Sequence, residues 1–469
     1  MRAQEILSQE DIEKIHQTSM KVLTNVGVEF PSEEALSVFK RHGVKTEGSR
    51  VYLTEDQLWK ALETAPAQFT LHARNPERSV TIGKDGPVFA PGYGAPFLVD
   101  AEGHKRVPTV EDCHALAKLA HALPNQDVSG HLLVEPGDVA AETAHLHMLY
   151  PHMIHSDKPF LGSVDSELGV RHTMEMIHIL FGDALGDRAV TMGVISSLTP
   201  LSYSPPMVNA IIKYAQEHQA LLMANLAMAG STAPITLAGL LATQNAELLA
   251  GIALIQLVSP GTPVIYGTTS TNIDMRNGSL AIGSPELAQV TAAHMQLVRF
   301  YGLPSRGSGA LTDANYPNAQ AGLESMMGML TAVNSGADFV LHAAGILSSY
   351  LAFSYEKFVL DDEICGRVRR FHRPLVIDDD TLAYDVIARV GPGGNFLVED
   401  QTIERCRTEF WEPDVSDRTG LDEWEQAGRQ DIVARATKRW LQLIAAHEDP
   451  PLDGITARQL QEFVEEETR

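Results

Sequence analysis

The feature that most constrains the fold is a unit that recurs eight times from Pro87 onward. Each copy is a short apolar run, then small and hydroxylated residues, then an amphipathic helix. The runs are Val88–Ala90, Val128–Val134, Phe160–Gly162, Ala189–Ile195, Ala220–Ala227, Pro263–Gly267, Pro304–Ala310 and Phe339–Ala343. Strands that alternate with helices pair in parallel, and eight such units predict closure into a TIM (β/α)8 barrel. An open dinucleotide-binding sheet is the alternative, but its phosphate fingerprint is missing. Gly92-Tyr93-Gly94 runs into Ala95-Pro96-Phe97, and Pro96 spoils a helix continuing from that loop. The α/β class with a closed barrel is therefore the expected fold.

The flanks differ in pattern. Residues 1–86 are expected as a helical and β extension packed on a barrel of residues 87–352, with a C-terminal helical region at 353–469. In the extension, Ser8 and Asp11 occupy capping-box positions at the head of a helix running to Val26. A second helix starts at Pro31-Ser32-Glu33-Glu34 and ends near Gly43. A short β element at Arg50–Leu53 and a helix at Thr54–Thr64 follow. In the C-terminal region, Asp361-Asp362-Glu363 followed by Arg367, Arg369 and Arg370 suits a helix dipole with acids early and bases late. The Gly391-Pro392-Gly393-Gly394 run follows a helical segment and reads as a turn.

Charge excludes whole classes of partner. Sixty acidic against 36 basic side chains give a net charge of −24, a surface that repels phosphate backbones and anionic lipid. It also suits a partner with a basic docking face. The three cysteines, Cys113, Cys365 and Cys406, are far apart and form no CxxC pair, which argues against a disulfide framework or zinc ribbon and for a reducing compartment. The N-terminus, Met1 to Glu10, has charges where a signal peptide would need an apolar run. The longest uncharged stretch, Ala220–Ala246, reads as buried strand, polar loop and helix rather than as a membrane span. A cytoplasmic location is expected.

In such a barrel, function collects where the strands end. Those positions offer Tyr93, Phe97, Glu135, Asp165, Ser196, Thr199, Asn225, Thr268, Thr269 and Ser270, then Arg306, Asp313, Asn315, His342, Tyr350, Phe353 and Tyr355. Arg306 lies in a strand of small residues, and a guanidinium inside a barrel must be paired. A substrate carboxylate or a bridge to Asp313 or Glu324 would serve. His342 is either a second donor to that carboxylate or a satisfied core histidine. Tyr93, Phe97, Tyr350, Phe353 and Tyr355 could enclose a trimethylammonium group, which has no N–H to donate and is recognised by ring faces. His145, His147, His152 and His155 cluster in sequence. However, His145 and His147 do not share a helix face, no HExxH is present, and no metal site is expected there.

Several stretches taken in order resemble one family: Gly27–Ser32, Pro91–Asp100, Ala120–Pro124, Thr312-Asp313, Gln320–Glu324, Ala343–Leu347, Phe358–Ile364 and Val390–Leu397. Together they are similar to the trimethylamine methyltransferase superfamily over nearly the whole chain, in its branch without pyrrolysine. Where trimethylamine enzymes carry pyrrolysine, between the Ala-Ala-Gly-Ile-Leu and Phe-Val-Leu-Asp-Asp-Glu segments, this chain has Ser348–Phe353, all standard residues. Asp400-Gln401-Thr402 departs from the expected His-Thr pair.

The resemblance implies a deep barrel pocket for a quaternary amine, most simply glycine betaine. It also implies a separate corrinoid protein that brings cobalamin to the mouth. Arg306 and His342 would hold the carboxylate, Tyr93 and Phe353 would flank the ammonium, and Asp313 and Glu324 would support the polar shell. No acid, base or nucleophile is required, because the amine leaves neutral. Pairing of two such barrels as a homodimer is compatible with the family. A zinc-dependent methyltransferase or hydrolase on the same barrel, and a non-enzymatic quaternary-amine binding protein, are the competing readings.

Overall fold

The computed structural model describes residues 3–84 and 86–469; Met1 and Arg2 of the charged N-terminus, and Asp85, lie outside that description. Seven parallel strands form one curled sheet. They are β1 (Val88–Phe89), β2 (Phe160–Gly162), β3 (Thr191–Ser196), β4 (Ala220–Ala224), β5 (Val264–Gly267), β6 (Ser305–Ser308) and β7 (Phe339–Leu341), in the order β1-β7-β6-β5-β4-β3-β2. Side chains alternate across the sheet, as the two-residue strand period requires. Met192 and Val194 of β3 and Ala220, Leu222 and Ala224 of β4 fill the barrel interior. Ile195, Leu221 and Met223 instead join the outer core beneath the helices.

The expected second strand, Val128–Val134, is not one. Residues 127–130 nonetheless bridge the two edges of the sheet. The amide of Asp127 donates to Phe89 O on β1 (2.8 Å), Ser129 N to Pro159 O (2.9 Å), and Leu161 N on β2 to Gly130 O (3.3 Å). The barrel thus closes through an irregular eighth position. Gly130 explains the irregularity: its φ of 99° lies where side chains are disfavoured, so the chain turns out of extended geometry after three residues.

The helices of the extension are α1 (Gln9–Asn25), α2 (Glu33–Arg41) and α3 (Glu55–Leu62). Ser8 caps α1 and closes the box with Asp11, and Thr54 does the same for α3 with Gln57. The extension also supplies a plug. In the hairpin of Phe69–Leu71 with Val80–Ile82, Phe69, Leu71 and Ile82 enter the barrel-interior cluster from the strand-start end.

Eight helices surround the strands: α4 (Val110–Ala122), α5 (Ala144–His155), α6 (Glu167–Phe181), α7 (Pro205–Gln216), α8 (Leu237–Val258), α9 (Pro285–Tyr301), α10 (Ala319–Asn334) and α11 (Tyr355–His372). Helix α8 is mostly apolar, with 16 of its 22 residues buried, Gln244, Asn245, Glu247 and Gln256 among them. It is wedged between the barrel and α1–α3, which accounts for a helix apolar enough to cross a membrane by composition.

In α11 the acids do not serve the helix dipole. The helix begins at Tyr355, so Asp361, Asp362 and Glu363 lie mid-helix and buried. Asp361 pairs with Lys357 and accepts Gly345 N (2.9 Å), while Lys357 also donates to Ser325 Oγ (2.8 Å) and Ala310 O (3.1 Å). Asp362 accepts Asn125 N (3.1 Å) and Gln126 Nε2 (3.1 Å). Glu363 accepts Val415 N (2.6 Å) and Ser416 N (3.0 Å).

Beyond α11 come α12 (Asp379–Leu382), α13 (Tyr384–Val390), α14 (Asp400–Glu409), α15 (Leu421–Gln426), α16 (Ile432–Ala445) and α17 (Gly454–Glu467). Gly391 ends α13 as the expected turn. Helix α16 returns to pack on α11 and α4, and α17 packs on α5 and α6.

Two predictions follow from this packing. Asp361→Ala leaves the Lys357 ammonium buried and unpaired, and should cost about 3–5 kcal/mol in urea unfolding. The Lys357→Met/Asp361→Leu pair should lose less than Asp361→Ala alone. The second concerns His131, His152 and His294, each pushed down to about 3 by burial. Their unfolded counterparts titrate near 6.5, so below that pH the unfolded chain binds protons the folded chain does not. Stability should therefore fall as pH drops from about 6.5, by about 2 kcal/mol per histidine at pH 5. Urea midpoints at pH 7.5 and 5.0 check this, and equal midpoints would show these rings protonate in place.

Candidate functional site

Arg306 is the second residue of β6, in register with Gly267 on β5 and Phe339 on β7. Glycine at 267 is needed because a Cβ there would lie 2.6 Å from the Arg306 Cβ. The guanidinium is 1% exposed. Its Nη1 donates to Thr268 O (2.7 Å), its Nη2 lies 2.8 Å from His342 Nδ1, and its Nε meets no partner. Among the described residues no carboxylate offsets the charge: burial lowers the group to about 10, still protonated at neutral pH. The anticipated bridges to Asp313 or Glu324 do not form.

His342 follows β7 with φ 62°, a left-handed backbone unusual for a side chain of this size. Burial, reinforced by Arg306, drives it well below its ordinary value, so the ring is neutral. Accepting from Arg306 at Nδ1 leaves the proton on Nε2.

Tyr350 packs edge-on against His342 with ring centroids 4.9 Å apart. It is delivered by three consecutive left-handed residues, Ser348 (φ 50°), Ser349 (φ 52°) and Tyr350 (φ 77°). Such a run costs about 1–2 kcal/mol per residue and persists only where surrounding bonds enforce it. Here Ser348 N donates to Ala314 O (2.9 Å), and Ser349 Oγ donates to Asp313 Oδ1 (2.6 Å). Asp313 also accepts Ile282 N (3.0 Å) and Gly283 N (2.9 Å). Glu324 accepts Asp313 N (2.9 Å) and Thr312 Oγ1 (2.5 Å). These two carboxylates fasten the loop that aims Tyr350.

Tyr93 packs against the barrel-interior cluster, and burial with Asp165 nearby raises its phenol well above the usual range. The hydroxyls of Tyr93 and Tyr350 and the Nε of Arg306 are buried without partners. The Tyr350 hydroxyl and the Arg306 Nε, close enough to interact, mark a place able to receive a polar ligand, while the Tyr93 hydroxyl lies toward Asp165.

The other aromatic expectations fare differently. Phe353 is fully buried, edge-on to Phe358 at 5.2 Å and directly beneath Gly345, so its ring supports the loop instead of facing the centre. The residue this chain places over His342 is Tyr350. Tyr355 donates to Asp112 Oδ1 (2.9 Å) and stacks on Trp440 at 4.6 Å, joining α4, α11 and α16. Phe97 is covered by the Lys105 ammonium at 4.3 Å from the ring centre.

Sequence reasoning missed a second tier of polar residues on helices. Thr268 Oγ1 lies 2.9 Å from both Asn225 Oδ1 and Gln244 Oε1. Gln244 Nε2 is 3.3 Å from His294 Nδ1. Buried Glu247 accepts Ser197 Oγ (2.8 Å), Thr199 Oγ1 (3.0 Å) and Leu201 N (2.9 Å). Gln244, Glu247 and His294 lie in apolar helical stretches, and the signal available was a polar residue on an otherwise apolar helix. A cavity of about 530 Å³ beside this end of the barrel carries Glu135, Glu142 and Asp165, an acidic approach suited to a cation. Burial and Glu135 together push Asp165 upward.

Of the four histidines clustered in sequence, His155 meets residues from outside that cluster. Its Nδ1 is 2.6 Å from Asp449 Oδ1, which also lies 3.0 Å from His447 Nε2. His145 Nε2 lies 2.9 Å from His172 Nδ1. These contacts join α5 to α6 and to the C-terminal segment on the outer wall.

A solved structure of the hydroxylamine complex of MtmB aligns with a TM-score of 0.50 over 94% of this chain and 95% of that one at 15% identity, a likeness of fold. The glycine betaine methyltransferase of Desulfitobacterium hafniense (strain Y51) is 47% identical over 461 residues, covering 98% of this chain and 96% of the relative. The proline betaine:corrinoid methyltransferase of Eubacterium limosum is 34% identical, over 99% and 98% respectively. The family model described as trimethylamine methyltransferase (MTTB) matches residues 1–469, and the chain belongs to that family.

Proposed function

We propose that this chain removes a methyl group from a betaine-type quaternary amine, glycine betaine in the first instance. It passes that group to cob(I)alamin carried by a corrinoid protein. The observation that carries this reading is the buried Arg306 guanidinium, uncompensated by any described carboxylate and neighboured by the unpartnered Tyr350 hydroxyl. A ligand that brings its own carboxylate satisfies it. The names of the relatives, one acting on glycine betaine and another on proline betaine with a corrinoid, support the same substrate class.

The chemistry asks little of the side chains. The reduced corrinoid supplies the electron pair that attacks the N-methyl carbon. The C–N bond breaks with its pair going to nitrogen, and the product leaves as the dimethylglycinate anion, its amine neutral and unprotonated and its carboxylate unchanged. A neutral, buried His342 fits a site that needs no general acid. Arg306 fixes the carboxylate and Tyr350 and Tyr93 offer ring faces to the ammonium, so that an N–CH3 bond points toward the mouth. Alignment and exclusion of water of this kind can lower a barrier by about 7–11 kcal/mol.

The test mixes the purified protein with cob(I)alamin and a panel of amines and follows the visible spectrum. Methylcobalamin should form with glycine betaine and not with trimethylamine. Formation with another betaine would move the substrate and keep the reaction. No methylation of any amine, with a corrinoid protein also supplied, would sink the proposal. Stoichiometric zinc lost together with activity would favour the metal-dependent alternative.

Arg306→Ala should raise KM for glycine betaine by about 100-fold or more, the scale of a lost charge-assisted pair. Arg306→Lys should recover part of it, because a lysine keeps the charge without the bidentate fork. Unchanged kinetics in folded Arg306→Ala would remove this residue from the site.

A further inference from the structure

We infer that His155, His447 and Asp449 form a binding site for a zinc ion on the outer wall of the barrel, away from its centre. The ligand atoms of these three side chains lie within 4.8 Å of one another. Two nitrogens, His155 Nδ1 at 2.6 Å and His447 Nε2 at 3.0 Å, converge on one oxygen, Asp449 Oδ1. Atoms that share a zinc ion sit about 3.3–3.5 Å apart, so an opening of about half an ångström admits the ion. Two imidazoles and a carboxylate are a zinc donor set, and the exposed Asp449 leaves a fourth position open to water. The histidines clustered at 145–155 have no such carboxylate nearby in sequence. The fold brings one from 294 residues away, with His447 two positions before it.

The surroundings are those of metal ligands. His155 is buried, and the His447 side chain is 3% exposed. Burial lowers His155, which keeps the ring neutral with a lone pair to give. Its other nitrogen, Nε2, lies 2.8 Å from His114 Nδ1. With a metal on Nδ1, Nε2 carries the proton and donates it to His114, the kind of outer contact that fixes a ligand imidazole in one tautomer. His121 packs edge-on to His447 with ring centroids 5.4 Å apart. Arg74 and Lys118 stand near, but the ion pairs of Asp449 among the described residues are with the two imidazoles.

Position decides what the ion does. His155 closes α5 just ahead of β2, at the strand-start end, whereas Arg306, His342 and Tyr350 gather at the strand ends. An ion there takes no part in methyl transfer, and its effect is to fasten the chain. Residues 446–453 connect α16 to α17, and among them only Leu452 packs against the core. Helix α17 then meets α5 and α6, burying Leu460 and Val464. Zinc shared by His155 and the 447–449 segment pins that connection, and with it α17, to α5.

The test uses the untagged full chain, freed of metal with a chelator and then titrated with zinc. One ion per chain should bind with micromolar affinity or tighter, and the thermal midpoint should rise as zinc is added. Cobalt(II) in its place should give the visible absorption of a four-coordinate ion. The double change His447→Ala/Asp449→Ala should abolish the binding and the rise while leaving methyl transfer intact, with circular dichroism reporting its fold. His114→Phe keeps all three ligands and should weaken zinc by about 10–100-fold, a response that scattered surface histidines would not give. No zinc bound by the unchanged chain, or equal binding by the double variant, would reduce the trio to a hydrogen-bonded cluster and overturn the assignment. Zinc whose removal abolishes methyl transfer would place the ion in the barrel and overturn it as well.

Discussion

One turn of α11 holds three distant parts of the chain. Asp361, Asp362 and Glu363 are consecutive, so they point in three directions around the helix, and each carboxylate accepts backbone amides from a different segment. Gly345 belongs to the loop that follows β7, Asn125 leads into the irregular eighth position of the barrel, and Val415 begins the C-terminal return. Buried carboxylates are costly unless hydrogen-bonded, and here the bonds are to amides that would themselves be orphaned without them. The interdependence makes this turn a structural hub. The closure of the barrel, the loop bearing Tyr350 and the seating of α16 all rest on it.

The centre of the barrel works by a different balance. Arg306 keeps its charge in a dry environment with two neutral acceptors, a carbonyl and an imidazole, and no anion. Neutral acceptors offset less of the desolvation than a carboxylate would. The polar tier of Thr268, Asn225 and Gln244 behind it fixes the carbonyl that Arg306 uses. A guanidinium held this way keeps an unused N–H and a fixed orientation.

Much of this was legible in the amino-acid sequence because the relevant signals are periodic or chemically rare. Alternating short apolar runs and helices identify a barrel, and seven of the eight runs are strands. The eighth was overcounted because Val128, Leu132, Leu133 and Val134 read as apolar, while one left-handed glycine decides their geometry. Arg306 stood out as a charge among small residues. Phe353 and Tyr350 sit three apart, and composition cannot tell which one faces the centre. The left-handed turn that sends Tyr350 inward depends on Asp313 and Ala314, remote in sequence from Ser348. Gln244, Glu247 and His294 were hidden because helical side chains reach the strand ends only in three dimensions.

The left-handed turn at Ser348–Tyr350 separates the side chain it presents from the bonds that hold it. Its conformation is set by Asp313, Thr312 and Ala314 through the backbone of Ser348 and Ser349 and the Ser349 hydroxyl, and not by the Tyr350 side chain. Arg306 lies on a different element altogether. What position 350 presents can thus be exchanged while the serine bonds, Arg306 and the barrel stay fixed. A substitution at Tyr350 alone therefore changes what the turn presents without disturbing the bonds that set its backbone.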